Sequence, residues 1–204
     1  MSKTILIENE KSFLTIEELD DKEIMGRCVE EVNNKLLINP EIYLYGKPAI
    51  QHRGIGFFSN TSIGYYYSGQ LTKSQLLTPS MQQLLEIINK KYSTEFNGIL
   101  VNRYNDGNDY IGSHYDKEDT IDQSGVIAIS YGAVRKFRIR NAKTKVKIMD
   151  ILTENNQIIH MGGNFQKEYM HEIPIEKKVK EPRWSFTFRK HISSIDTDKY
   201  IMKE

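Results

Sequence analysis

Disulfides, membrane spans and strong bulk charge are all missing from this chain. Its 204 residues contain one cysteine, Cys28, so no internal disulfide can form and a cross-linked mini-domain is excluded. Cys28 falls among apolar residues at helical spacing and reads as a small core residue. No stretch approaches the roughly 18 apolar residues of a membrane helix. Residues 1–12 have neither the basic start nor the apolar centre of a secretion signal. We therefore expect a soluble intracellular protein, of nucleus or cytoplasm, with no membrane partner. Lys and Arg number 28 against 27 Asp and Glu, a net charge of +1, so bulk electrostatics does not announce a polyanion as partner. Internal repeats, low-complexity tracts and linker-like Gly, Ser or Pro segments are also absent. One domain over residues 1–204 is expected, long enough for a sizeable core.

What is present is periodic. Ile24, Met25, Cys28, Val29, Val32 and Leu36 recur at helical spacing. Thr78-Pro79 opens a second helix to about Tyr92, with Met81, Leu84, Leu85, Ile88 and Tyr92 as its stripe. Residues 1–12 read as a loose leader, or as an edge strand over Thr4–Ile7. From Gly98 onward the pattern predicts strands over 98–104, 109–115, 125–131, 135–140, 145–153, 157–161, 168–174 and 183–191. Helices followed by many strands predict an α+β, mainly β protein, a double-sheet jelly roll backed by N-terminal helices. Charge is unevenly spread. Arg135, Lys136, Arg138, Arg140, Lys143, Lys145 and Lys147 follow one another with no acid between them. Such a hairpin face could track phosphates or simply blunt a sheet edge. Lys177, Lys178 and Lys180 form a second cluster.

The chemistry concentrates in His114-x-Asp116. Side chains two apart on an extended backbone share a face, so an imidazole and a carboxylate converge while Tyr115 points away. A distant histidine would complete the two-histidine, one-carboxylate set that holds non-haem Fe(II). His171 and His160, each near an apolar strand, are the candidates. The same parity puts Asn102 and Tyr104 on one face of the segment 98–104. It also puts Arg183, Ser185, Thr187 and Arg189 on one face of Arg183–Arg189, with Trp184, Phe186 and Phe188 on the other. Two inward guanidiniums need an anionic partner, and their planar forks suit a small dicarboxylate. A sheet with one wet, basic face would show the same alternation.

N-x-Y, H-x-D, a distal His and R-x-[NS]-x-T-x-R, in this order over residues 40–191, resemble the AlkB family of Fe(II)- and 2-oxoglutarate-dependent nucleic-acid dealkylases. The resemblance implies a double-stranded β-helix core. Its divisions would be a leader and helix over 1–40, a nucleotide-recognition segment and helix over 41–97, and a catalytic jelly roll over 98–191. It makes His171 the third metal ligand beside His114 and Asp116. It assigns Asn102, Tyr104, Arg183, Ser185, Thr187 and Arg189 to 2-oxoglutarate, with O2 as co-substrate. Ser185 departs from the family, which usually has Asn there. Tyr45-Gly-Lys, Arg53 and Tyr65-Tyr-Tyr67-Ser-Gly look like the duplex-DNA repair branch. That likeness implies Tyr45 as an intercalating finger, Tyr65 and Tyr67 as base platforms, and Arg53 and Glu118 as further substrate contacts. The implied reaction is oxidative dealkylation of 1-methyladenine and 3-methylcytosine in DNA by a monomer, releasing formaldehyde and succinate. The same chemistry on RNA and a non-catalytic nucleic-acid-binding module are the alternatives. His52, beside Arg53, is expected near the nucleic acid. His191 ends the last strand and is expected to be exposed.

Overall fold

The computed structural model describes residues 3–44, 46–67, 70–116 and 125–191. In chain order, β1 (Thr4–Glu8) and β2 (Ser12–Glu18) precede α1 (Ile24–Val32). Next come β3 (Leu37–Ile38), β4 (Glu41–Leu44), β5 (Lys47–Ile50), β6 (Gly54–Phe58), β7 (Gly64–Tyr67), β8 (Gln70–Gln75) and α2 (Pro79–Tyr92). The remainder is β9 (Gly98–Tyr104), β10 (Ile111–His114), β11 (Val126–Gly132), β12 (Arg135–Asn141), β13 (Lys147–Thr153), β14 (Gln157–Gly163), a short α3 (Phe165–Glu168), β15 (Tyr169–Ile173) and β16 (Arg183–Arg189). No described helix is long and apolar enough to cross a membrane.

Among the described residues, most strands join a ten-stranded sheet ordered β1-β2-β14-β11-β16-β9-β6-β8-β7, with β3 also on β6. A four-stranded sheet, β10-β15-β12-β13, faces it, and β4-β5 form a separate hairpin. All pairings are antiparallel except β6 with β8.

The strict alternation of β16 explains the layering. Trp184, Phe186 and Phe188 join a core made with Ile24, Met25, Cys28 and Val32 of α1 and Met81, Leu84 and Ile88 of α2. Both helices therefore cover the outer face of the large sheet. α2 starts where Thr78 Oγ1 accepts the Met81 N–H and Pro79 occupies its first turn. It stops at Ser93, whose positive φ of 54° ends the helical run. A second core lies between the sheets, where Leu14, Val126, Ile159 and Met161 meet Phe137, Ile139, Ile151 and Ile173.

Two expectations change. Of the two readings of residues 1–12 the edge strand is the one described, β1 pairing with β2; the unexpected strand is β2, which pairs with β14 along its whole length, from Gln157–Glu18 to Gly163–Ser12, and Leu14 and Thr15 are buried. Strands therefore precede the helices, because the exposed edge of β14 offers backbone partners that local periodicity cannot reveal. The segment before α2 also contributes β6, which pairs with β9 in the large sheet from Gly54–Arg103 to Phe58–Ile99.

Candidate metal centre and active-site pocket

Strands β10 and β15 run antiparallel with His114 opposite His171, so the pairing register itself brings the two imidazoles together. Asp116 lies two residues beyond His114, just past the end of β10. Its Oδ1 is 4.0 Å from His114 Nε2 and its Oδ2 is 3.9 Å from His171 Nε2. One ligand atom from each residue falls within 4.8 Å of the others. His114 Nδ1 is 2.8 Å from the Gly112 carbonyl oxygen. A carbonyl only accepts, so this nitrogen carries the proton and Nε2 keeps its lone pair for a metal. His171 is stacked on Phe137, with ring centroids 5.1 Å apart.

The charge states suit a cation. Burial pushes both histidines down, His171 to about 3 with the neighbouring His114 adding to the effect, so both imidazoles are neutral donors. Burial alone would raise Asp116, but the Arg189 guanidinium leads the groups that outweigh it and holds the carboxyl below its ordinary range. Arg189 Nη2 approaches Asp116 Oδ1 at 3.4 Å, and the Asp116 N–H donates to Gln166 Oε1 at 3.0 Å. Among the described residues Asp116 Oδ2 is buried with no hydrogen-bond partner. An ionised oxygen left bare in the interior is costly unless a ligand completes it. Two neutral imidazoles and this carboxylate match the donor set of a non-haem Fe(II) centre.

The pocket above these residues lies between the sheets. Asn102 and Tyr104 of β9 line it together with Arg183, Ser185, Thr187 and Arg189 of β16, and His114, Asp116, Phe137 and His171 face them. Its empty space, open mouth included, is about 560 Å³. Arg183 is 2 % exposed. It donates to neutral hydroxyls, Ser130 Oγ at 2.9 Å and Thr153 Oγ1 at 3.2 Å among them. Its guanidinium lies 5.4 Å from the Tyr104 ring centroid. Burial lowers Arg183 to about 10, so it remains cationic at neutral pH. Among the described residues its Nη1 has no partner and no carboxylate pairs with it. A buried, uncompensated guanidinium at one end and a metal-ligand set at the other fit a small dianion that chelates the metal.

Of the residues expected on the substrate side, Arg53 is buried and lines the pocket, its Nε donating to Asn102 Oδ1 at 2.8 Å. With that oxygen occupied, the Asn102 amide nitrogen is left as a donor. Tyr65 is also buried and lines the pocket, with the Arg189 guanidinium carbon 5.0 Å from its ring centroid. Tyr67 falls in β7. Tyr45 and Glu118 lie outside the described residues.

Three further expectations are corrected or resolved. His160 packs edge-on between Phe13 and Tyr92, in the layer away from the pocket, and His171 takes the place beside His114. His191 is 7 % exposed, not open to solvent. It packs against Phe57, 4.5 Å between ring centroids, and sits below Tyr65. The basic face of β12 is internally neutralised: Arg138 pairs with Asp150 at 2.7 Å and Arg140 with Glu172 at 2.9 Å. Arg135 is buried, donating to the carbonyls of Asp106, Asp109 and Pro174 and to Glu176. Asp150 follows just beyond the basic run, on β13, but Glu172 and Glu176 come from β15 and the following loop, so a charge count confined to the run misses them. Sequence reasoning also missed Ser130, Thr153 and Phe137, which hold Arg183 and His171. Alternation within β11, β12 and β13 could have placed them inward, but not named their partners.

Residues 13–189 match the family model of the 2OG-Fe(II) oxygenase superfamily. The chain belongs to that superfamily. This oxygenase is 27 % identical over 157 residues to the DNA oxidative demethylase ALKBH2 of Bos taurus, covering 73 % of this chain and 56 % of that protein. It is 28 % identical over 181 residues to protein R406 of Acanthamoeba polyphaga mimivirus, covering 88 % and 93 %. The solved structure of OsALKBH1 superposes with a TM-score of 0.55 at 16 % identity, over 92 % of this chain and 100 % of that one, which shows a shared fold. These relatives bear out the AlkB resemblance read from the motifs. The matched region spans between 56 % and 66 % of the length of the mammalian ALKBH2 proteins.

Proposed function

We propose that this oxygenase is an Fe(II)- and 2-oxoglutarate-dependent dealkylase that removes N-alkyl groups from bases in DNA, with 1-methyladenine and 3-methylcytosine as substrates. The observation that carries this reading is one pocket holding both the His114, Asp116, His171 ligand set and the buried, uncompensated Arg183. The two facing sheets read as a double-stranded β-helix serving one domain over the whole chain.

His114, Asp116 and His171 would hold the metal. Arg183, with Tyr104 and Asn102, would hold the distal carboxylate of 2-oxoglutarate, while Arg189 faces the metal end beside Asp116. Ser185 and Thr187, between the two arginines on the same face, supply hydroxyls along the co-substrate. Bound Fe(II) supplies oxygen activation coupled to 2-oxoglutarate decarboxylation, giving succinate, CO2 and a hydroxylated N-alkyl carbon that leaves, from a methyl group, as formaldehyde. The protein's own part is orientation and exclusion of water. Phe137, Ile111 and Met161 line the pocket wall, and Arg189 keeps Asp116 ionised so that it binds metal rather than a proton. No side chain is needed as a nucleophile. Tyr65, held by Phe57 and Arg189, presents a ring on which an extruded base can stack, with Tyr45, Tyr67, Arg53 and Glu118 completing the substrate contacts that the AlkB resemblance implies.

The test is anaerobic loading with Fe(II) and 2-oxoglutarate, then admission of air with oligonucleotides carrying 1-methyladenine, single- or double-stranded, DNA or RNA. Mass spectrometry should show loss of one methyl with equivalent succinate, absent in Asp116→Ala. Succinate without base repair would retain the oxygenase and discard the substrate. No turnover with iron bound would favour a binding module.

A further inference from the structure

Next in the chain to two residues of the pocket lining, two rings stack that no part of the reaction uses. His52 and Tyr110 have centroids 5.0 Å apart and ring planes within 19° of parallel. They come from opposite walls. His52 directly precedes Arg53, on the approach to β6 of the large sheet, and Tyr110 directly precedes Ile111, the first residue of β10 in the small sheet. Arg53 and Ile111 both line the pocket, so the stacked pair lies one residue along each chain segment from the lining and bridges the two sheets. A backbone bond from the Tyr110 N–H to the His52 carbonyl, at 3.1 Å, fixes the two chain segments to each other.

The surroundings of the pair are those of a binding surface rather than a core. His52 is exposed and Tyr110 is half-buried. Among the described residues neither the imidazole nitrogens nor the Tyr110 hydroxyl takes part in a hydrogen bond or ion pair. Neither polar edge is taken up by another described residue, while the flat faces lie together. A flat, rigid, sequence-indifferent π surface with polar edges suits a nucleobase, since every base has a π face. A base drawn into the pocket leaves its neighbours on the strand at the rim, unstacked on one side.

We propose that the His52–Tyr110 stack is a strand-binding platform, on which the nucleotide flanking the extruded base stacks. This rests on the reading above that the pocket takes a base out of a polynucleotide. The platform contributes to holding the strand and not to holding the co-substrate. It therefore raises affinity for oligonucleotides and leaves a methylated mononucleoside unaffected.

The test uses the full chain, held anaerobic with Fe(II) and 2-oxoglutarate so that nothing turns over. Fluorescence anisotropy would measure its affinity for a labelled single-stranded oligonucleotide carrying one 1-methyladenine, for wild type, His52→Ala, Tyr110→Ala and His52→Phe. Losing one stacked base should weaken binding about tenfold in both alanine variants, and His52→Phe should restore most of it. The dissociation constant for 2-oxoglutarate, by calorimetry, should be unchanged in all four proteins. If the alanine variants bind the oligonucleotide as wild type does, the platform is overturned while the dealkylase reading stands. If oligonucleotide and 2-oxoglutarate affinities fall together, the pair merely packs the two chain segments together and the proposal is equally overturned. A wild type that binds no oligonucleotide defeats the dealkylase reading, and the platform with it.

Discussion

Arg183 shows how much one buried charge can say. Its guanidinium is almost fully enclosed, yet its hydrogen-bond partners are the neutral hydroxyls of Ser130, Thr153 and Tyr104. A surface ion pair would be worth little, but a desolvated arginine facing an anion makes a strong, oriented contact. Arg183→Gln should raise the 2-oxoglutarate dissociation constant at least about tenfold and leave metal affinity unchanged, as calorimetry with Mn(II) in place of iron would show. Arg140 is the opposite case. Its charge is met by Glu172 at 2.9 Å, so it has little left for a phosphate. Arg140→Gln should therefore leave the slope of log affinity against log salt for any oligonucleotide unchanged; a slope shallower by about one would instead mean a lost phosphate contact.

The contact between β2 and α2 joins the N-terminal hairpin to the helical layer. The Tyr92 hydroxyl donates to Glu17 Oε1 at 2.5 Å, and Lys91 Nζ lies 2.8 Å from Glu17 Oε2. Burial alone would raise the Glu17 carboxyl, but the hydrogen bonds from Lys91 and Tyr92 outweigh it and hold it below the ordinary range. A carboxyl depressed in the folded state stabilises above its unfolded value and loses that stabilisation as pH falls through the folded one. Glu17→Gln should cost about 1–2 kcal/mol near neutrality. In thermal melts run against pH, the gap between variant and wild type should close as the pH drops below the usual carboxylate range. A gap that persists in acid would mean the charge contributes nothing there.

Two apolar cores lie on opposite faces of the large sheet, one under α1 and α2 and one between the sheets. They share strands β9, β11 and β14, each of which sends residues into both, so unfolding should be one cooperative transition. The N-terminal hairpin belongs to that unit. Leu14 is fully buried and packs in the same core as Met161 and Phe137. Leu14→Ala should cost about 2–5 kcal/mol, read as a shift of the urea midpoint. A detachable leader would give no shift at all.

The elements that carry their own pattern were legible before folding was considered. β16 alternates from Arg183 to Arg189, α2 announces its start at Thr78-Pro79, and both matched the expected bounds closely. The candidate metal-ligand set was legible too, because His114 and Asp116 are near neighbours and the motif order pointed to His171 over His160. β1 was legible as one of two readings of residues 1–12, but β2 was not, since a short strand is recognised by the edge it pairs with, and the edge of β14 lies some 140 residues away. Nor were the neutralised arginines of β12 or the burial of His191, because burial and charge pairing depend on which distant segments close around a residue. Residue order and alternation settled which side chains share a face and what chemistry they can support. Long-range strand pairing settled which faces meet, and hence that two histidines, a carboxylate and a buried arginine share one pocket, since ligand atoms must converge in space before they can bind anything.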